Sequence, residues 1–246
     1  MKLLVCISKA PDTTTKIAFS DNNTKFNEAG VQYIVNPYDE WFALVRALEL
    51  KEKLGGSVTI ITVGVAADDA IIRKALAIGA DDAVRVDAAP TDALFVAKQI
   101  ASFAKEKNFD IIFTGKETID YNGSQVGGMI SELLDLPYIS LASKLEIDGT
   151  TATLETDIPG GSEVLNVNIP FVVSCAKGMA EARIPNMRGI MAARTKPLTV
   201  LPPINSEKHT TIKTYSLPPE KKGCRMVSAD NVGELIELLH NEAKAI

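Results

Sequence analysis

Histidine, cysteine and aromatic residues are scarce in this 246-residue chain, which has two His, three Cys, one Trp and 6% aromatic residues in all. With only His209 and His240, both near the C-terminus, no histidine set is available to hold a metal, which argues against a metalloenzyme. Cys6, Cys175 and Cys224 lie far apart, form no CxxC pair and leave an odd one over, so no disulfide framework is indicated. Cys6 and Cys175 sit in apolar, strand-like runs and read as buried free thiols. A cationic excess is missing too: the formal net charge is −5, and a surface that binds DNA or RNA phosphates needs the opposite balance. No apolar run approaches the ~20 residues of a membrane span. The opening MKLLVCIS is too short, and too soon followed by polar residues, for a signal peptide; it reads as a first strand of a cytoplasmic protein. Internal repeats and low-complexity windows are absent.

What is present, 46% hydrophobic and 23% charged residues, suits a globular domain with a substantial core. KLLVCIS is a short continuous apolar run, as expected of a strand covered on both faces. Short extended pieces around Gly30 suggest a small hairpin. A helix follows from Asn36, with Asn36 as cap, Pro37 at the first position, Asp39 and Glu40 in the first turn, and Trp41, Leu44, Val45 and Leu48 along one face up to Gly55. SVTIITVG, DDAVRVDA and FDIIFTG read as strands. AADDAIIRKALAIGA and a segment from Thr91 to about Lys107 read as the helices between them. This alternation predicts a doubly wound parallel α/β sheet of the Rossmann-like, adenine-nucleotide-binding type over the first ~135 residues.

After Pro137 the chain turns to strands joined at Asp148-Gly149 and Gly160-Gly161, one of which is expected to return to the main sheet. From KPLTVLPP to LPPEKKG it is rich in Pro, Lys and Thr and reads as an extended arm. The arm ends in NVGELIELLHNEAKAI, whose Val232, Leu235, Ile236 and Leu239 form one apolar stripe. The division expected is an α/β nucleotide-binding domain over residues 1–200 and an arm with an amphipathic helix over 201–246, packing on a partner.

The stretch TGKETIDYNGSQVGG, residues 114–128, is neither a P-loop nor a GxGxxG motif, yet it leaves a strand and opens a helix. Ligands of such sheets sit beyond the carboxyl ends of the strands, near the reversal of strand order. Gly123 to Gly128 offer backbone N–H groups at a helix start, which suit a phosphate, with Ser124 and Gln125 as further donors and Asp120 and Asn122 able to bond a sugar or a base edge. The competing reading is an Asx-capped turn with no ligand. Cys6, the Asn36 to Asp39 segment and Val63-Gly64 end neighbouring strands or open the next helix, so these three pieces and the 114–128 loop can together surround an adenosine.

Read in order, NPYDEWFALVRALELKE, AIIRKALAIGADDAVRV, IIFTGKETIDYNGSQVGGMISELLDLP and MRGIMAARTKPL resemble the beta subunit of electron-transferring flavoprotein over most of residues 1–200. The resemblance implies a non-catalytic half of an electron carrier, completing an FAD site held mainly by an alpha subunit and binding AMP, or in electron-bifurcating relatives a second FAD. It assigns the nucleotide to Cys6, Asn36, Pro37, Tyr38, Asp39, Val63, Gly115, Asp120, Asn122, Gly123, Ser124, Gln125 and Val126, the last four at the phosphate. It also implies acyl-CoA dehydrogenases as donors, a flavoprotein-quinone oxidoreductase as acceptor, and a docking segment containing Arg183 and Met187; taken alone, Met187 reads as an ordinary helix start. Ala182 and Ile184 stand where the family carries Pro and Tyr, and Tyr121-Asn122-Gly123-Ser124 where many relatives carry acidic residues or Thr-Ala. Two other readings are a stand-alone adenine-nucleotide ligase, for which SKAPDTT lacks the glycines of a pyrophosphate loop, and a small ATP-binding module, which needs no long arm.

Overall fold

The computed structural model describes residues 1–37, 39–117, 123–220 and 223–246. Strand β1 (Lys2–Cys6) lies inside a nine-stranded sheet. Its side chains alternate between two faces, and both are covered, which is why its sequence is continuously apolar. Leu3 and Val5 join a core with Ile60, Ile111 and Phe113, while Leu4 and Cys6 join a second core with Ile61, Ile112 and Val172.

After β1 come the short strands β2 (Lys9–Pro11), β3 (Phe19–Ser20), β4 (Lys25–Phe26) and β5 (Tyr33–Val35). The tight hairpin is β3–β4, turned by Asp21, Asn22 and Asn23, all with positive φ, a region that short Asp and Asn side chains tolerate. The hairpin expected around Gly30 is therefore displaced: Gly30 belongs to the turn entering β5, which pairs back onto β2.

Helix α1 (Asp39–Leu54) then leads to β6 (Ser57–Gly64), α2 (Asp69–Ile78) to β7 (Asp82–Asp87), and α3 (Ala93–Lys105) to β8 (Ile111–Gly115). Helix α3 starts two residues later than the pattern suggested, because Asp92 caps it by accepting the Phe95 N–H at 2.8 Å. Helix α4 (Val126–Leu134) follows, then the meander β9 (Tyr138–Asp148), β10 (Thr151–Ile158) and β11 (Gly161–Asn168). Strand β12 (Phe171–Cys175) returns between β8 and β9, as expected of one strand of this region.

The sheet order is β11-β10-β9-β12-β8-β1-β6-β7, completed by the last strand, β13 (Leu198–Leu201). All neighbours from β9 onward pair in parallel, and only β9–β10–β11 are antiparallel. This is the doubly wound α/β sheet anticipated. Helices α1 and α2 pack their Leu44, Leu48, Ile72 and Leu76 on one face, with Ala193 of the short α5 (Met187–Ala193). Helices α3 and α4 pack Ala97, Ile100 and Ile130 on the other. Each fully buried Leu or Ile contributes about 1.5–3 kcal/mol, so these two layers outweigh any surface ion pair, typically about 0–1 kcal/mol.

The chain steps outward from β1 to β6 and β7, then crosses to the opposite side of β1 at β8. That reversal opens a crevice beyond the carboxyl ends of β1 and β8.

The segment read as wholly extended arm begins differently: Leu198–Leu201 pairs in parallel with β7 and closes the sheet edge. No described residue beyond Leu201 is buried. The terminal helix α6 (Val232–Glu237) passes into a π-helical turn over Leu238–Glu242, and Val232, Leu235 and Ile236 of its stripe are exposed. No helix among the described residues is long and apolar enough to cross a membrane.

Candidate functional site

The start of α1 holds the crevice together. Asn36, Asp39 and Glu40 are at most 6% exposed, although all three are polar. Glu40 accepts the Ser8 N–H at 2.5 Å on one carboxyl oxygen and lies 2.7 Å from the Ser8 hydroxyl through the other. Asp39 accepts the Glu117 N–H at 2.9 Å. Asn36 donates its backbone N–H to the Ser8 carbonyl at 3.0 Å and its side-chain amide to the Glu117 carbonyl at 3.3 Å. One short segment thus fastens the loop after β1 and the loop after β8.

Gly115 ends β8 against this cluster. A Cβ there would stand 2.7 Å from an Asp39 carboxylate oxygen and 2.8 Å from Glu40 Cγ, so only glycine lets the strand approach so closely. Gly127 in the first turn of α4 is constrained in the same way, by the Thr114 hydroxyl at 2.8 Å and the Tyr138 ring at 2.9 Å.

Burial raises the Asp39 carboxyl above its usual range and pushes Glu40 up to about 8. Burial, reinforced by Glu40, also pushes the Cys6 thiol far up, so Cys6 is a neutral, unreactive lining group. Val63, at the end of β6, is buried in the second core and brings its backbone to the crevice.

On the other side of the crevice, Ser124 adopts a left-handed φ of 52° just before α4, and Gln125 returns to the right-handed region as the cap residue. Alternation of this kind turns successive N–H groups toward a common point. The Gln125 side chain makes no capping bond, which leaves first-turn N–H groups of α4 for another acceptor. Among the described residues, a Cβ on Gly123 would meet nothing within 4 Å.

Of the nucleotide residues inferred from the sequence, Cys6, Asn36, Asp39, Val63 and Gly115 come together at the switch point, with Pro37 in the turn before α1. Gly123, Ser124, Gln125 and Val126 form the entry to α4. Tyr38, Asp120 and Asn122 lie outside the described residues. Arg183 and Met187 are remote from the crevice. Both Arg183 η-nitrogens engage the Glu52 carboxylate near the end of α1, at 2.6 and 3.1 Å. Met187 opens α5 and is 74% exposed, beside exposed Ile184 and Met191.

Sequence reasoning missed Ser8 and Glu117, and gave Glu40 only the role of a helix-start acid. A signal was available. Residues three and four positions after Asp39 and Glu40 are Phe42, Ala43 and Leu44, with no Lys or Arg to pair with on the helix surface. Two adjacent acids preceding an apolar face point inward.

The model of the electron transfer flavoprotein domain matches residues 23–205, spanning α1 to β13 and every part of the crevice except the end of β1 and the loop after it. The chain belongs to the electron transfer flavoprotein family. Among its relatives is the electron transfer flavoprotein subunit beta of Bacillus subtilis, 36% identical over 261 residues and covering 100% of both chains. The subunit beta of Syntrophomonas wolfei is 38% identical over 224 residues, covering 90% of this chain and 87% of its own. The acryloyl-CoA reductase electron transfer subunit gamma of Anaerotignum propionicum is 33% identical over 208 residues, 82% of this chain and 77% of that one. As a flavoprotein beta subunit, the chain is an electron-transfer component that implies an alpha partner and an associated flavin.

Proposed function

We propose that this chain holds AMP in the crevice beyond β1, β6 and β8, completes the FAD site of its alpha partner, and does no chemistry with its own side chains. On this reading the heterodimer carries electrons from acyl-CoA dehydrogenases, or similar flavoenzymes, to a membrane flavoprotein-quinone oxidoreductase. The flavin, when bound, supplies the redox change; the protein binds, positions and insulates it.

One observation carries the adenylate assignment. Asn36 Oδ1 is buried at the crevice and has no partner among the described residues, although Asn36 itself is fully enclosed. An orphaned acceptor of this kind costs about 1–3 kcal/mol unless a ligand N–H or O–H completes it. The entry to α4 adds a set of N–H groups and the positive end of a helix dipole for a phosphate. Glu40, Asp39 and Gly115 would fix the frame, and Gly123 to Val126 would face the phosphate. Residues 201–246, with the uncovered stripe of α6, would pack on the alpha partner. Ile184, Met187 and Met191 would form the apolar docking patch for electron donors. The space that the described residues leave beside Gly123 favours one second reading, in which the adenylate belongs to a second FAD in an electron-bifurcating complex.

Two variants of the co-expressed heterodimer test the assignment. Gly123→Glu sets a carboxylate at the proposed phosphate position. It should strip the AMP while leaving one FAD per heterodimer, whereas unchanged nucleotide content moves the site elsewhere. Met187→Asp should slow reduction by acyl-CoA dehydrogenase without bleaching the flavin; an unchanged rate removes Met187 from the docking surface.

A further inference from the structure

Glu40, one of the groups that would fix the frame of the adenylate site, is buried and carries no counter-charge among the described residues. Its carboxyl group is enclosed between the Ser8 backbone and hydroxyl, the Asn36 side chain, Gly115 and its neighbour Asp39. Among the described residues no cation pairs with it. The cations of the surrounding elements are engaged elsewhere. Lys9 of β2 meets Asp68 at 2.9 Å, Lys116 after β8 meets Glu117 at 3.0 Å, and Arg46 of α1 meets Glu49 at 2.8 Å and Glu146 at 3.0 Å. The remaining titratable groups turned toward this cluster, Asp39 of α1, Cys6 of β1 and Cys175 of β12, bring no positive charge. An ionised carboxylate so placed lacks a counter-charge. A neutral acid fits better: its carbonyl oxygen accepts the Ser8 N–H and its O–H donates to the Ser8 hydroxyl oxygen.

We propose that Glu40, carrying its proton, is the positioning residue of the adenylate pocket: it clamps Ser8 and so registers the loop after β1 against the first turn of α1. Ser8 is then held at every backbone polar group, since its carbonyl accepts the Asn36 N–H as well. The crevice wall formed by Cys6 and Asn36 follows from that register. The proposal rests on the crevice being an adenylate site.

The pH dependence has a definite direction. The carboxyl titrates near 4.5 in the unfolded chain and near 8 in the folded one. Below the lower value both states hold the proton, and the clamp contributes fully. Between the two values only the unfolded chain releases it, so the contribution declines, and it is lost as pH rises through about 8.

The test uses the intact heterodimer depleted of AMP, with AMP titrated calorimetrically from about pH 6 to about pH 10. Wild-type affinity should hold up to about pH 8 and then fall about tenfold for each further unit. Glu40→Gln, an isostere of the neutral acid, should bind AMP with a flat profile near the wild-type plateau. Glu40→Ala should bind weakly at every pH. A flat wild-type profile, or a Glu40→Gln variant as weak as Glu40→Ala, overturns the proposal. If AMP binds the wild type at no pH, the adenylate reading fails. Amide exchange at Ser8 then decides the clamp by itself. Wild-type protection relative to Glu40→Gln at the same pH should drop above about pH 8, and equal protection throughout overturns the clamp.

Discussion

At the carboxyl ends of β1 and β8, the buried polar side chains of Asn36, Asp39 and Glu40 tie the loops after these two strands into a single frame. Beyond Leu201 no described residue is buried, and the chain is fastened at points far apart in sequence. Gln99 of α3 clamps Ile204 from both sides, donating to its carbonyl at 3.0 Å and accepting its N–H at 2.8 Å. Asp92 accepts the N–H groups of His209 at 2.8 Å and Thr210 at 3.2 Å while it caps α3. Tyr215 stacks on Phe19 with centroids 5.1 Å apart and donates its N–H to the Asn23 carbonyl at 2.7 Å. The crevice is thus determined by its own chain. The arm is routed by its own chain but keeps apolar side chains that its own chain does not cover. The proposed function, a small ligand held in the crevice and a partner wrapped by the arm, needs both kinds of region.

Substitutions sharpen this contrast, beginning with the largest effect. Phe113→Ala empties a fully buried position of the sheet and should cost about 3–5 kcal/mol in denaturant unfolding of the chain. At Gly115, even the smallest addition, Gly115→Ala, drives a methyl group against Asp39 and Glu40. It should destabilise by about 1–3 kcal/mol and lower nucleotide content, because the frame itself must shift. Asp92→Ala removes a helix cap and an arm anchor together. It should cost about 0.5–2 kcal/mol and increase proteolytic nicking between Leu201 and Tyr215, leaving nucleotide content intact. Ile236→Asp should change the stability of the isolated chain by no more than about 0.5 kcal/mol, since the residue is 53% exposed, yet sharply reduce recovery of the heterodimer. A large loss of chain stability from Ile236→Asp, or none from Gly115→Ala, would erase the distinction between the two regions.

The alternation of apolar strands and amphipathic helices made most of the sheet legible in the sequence, because both faces of β1, β6 and β8 are covered and their side chains must be apolar. The departures have local causes. Glycine marks turns, so the sequence points to a hairpin at Gly30, whereas Asp21, Asn22 and Asn23 make the tight turn with left-handed backbones of their own. Strand β13 was hidden among prolines, and its pairing with β7 depends on a long-range edge that no local pattern reveals. At the site, strand ends and the start of α4 were readable, and they located Cys6, Asn36, Gly115 and Val126. Ser8, Glu117 and the clamp through Glu40 were not readable. They are hydrogen-bond partners chosen by tertiary proximity across 32 and 78 positions of sequence.

On the proposed function, backbone groups of this chain hold an adenylate while the redox work belongs to a flavin shared with an alpha subunit. Acid release followed by chromatography of the nucleotides in the purified heterodimer tests it most directly. A yellow complex yielding AMP and FAD in equal amounts is the expected result; a colourless complex free of any adenine compound would rule this function out.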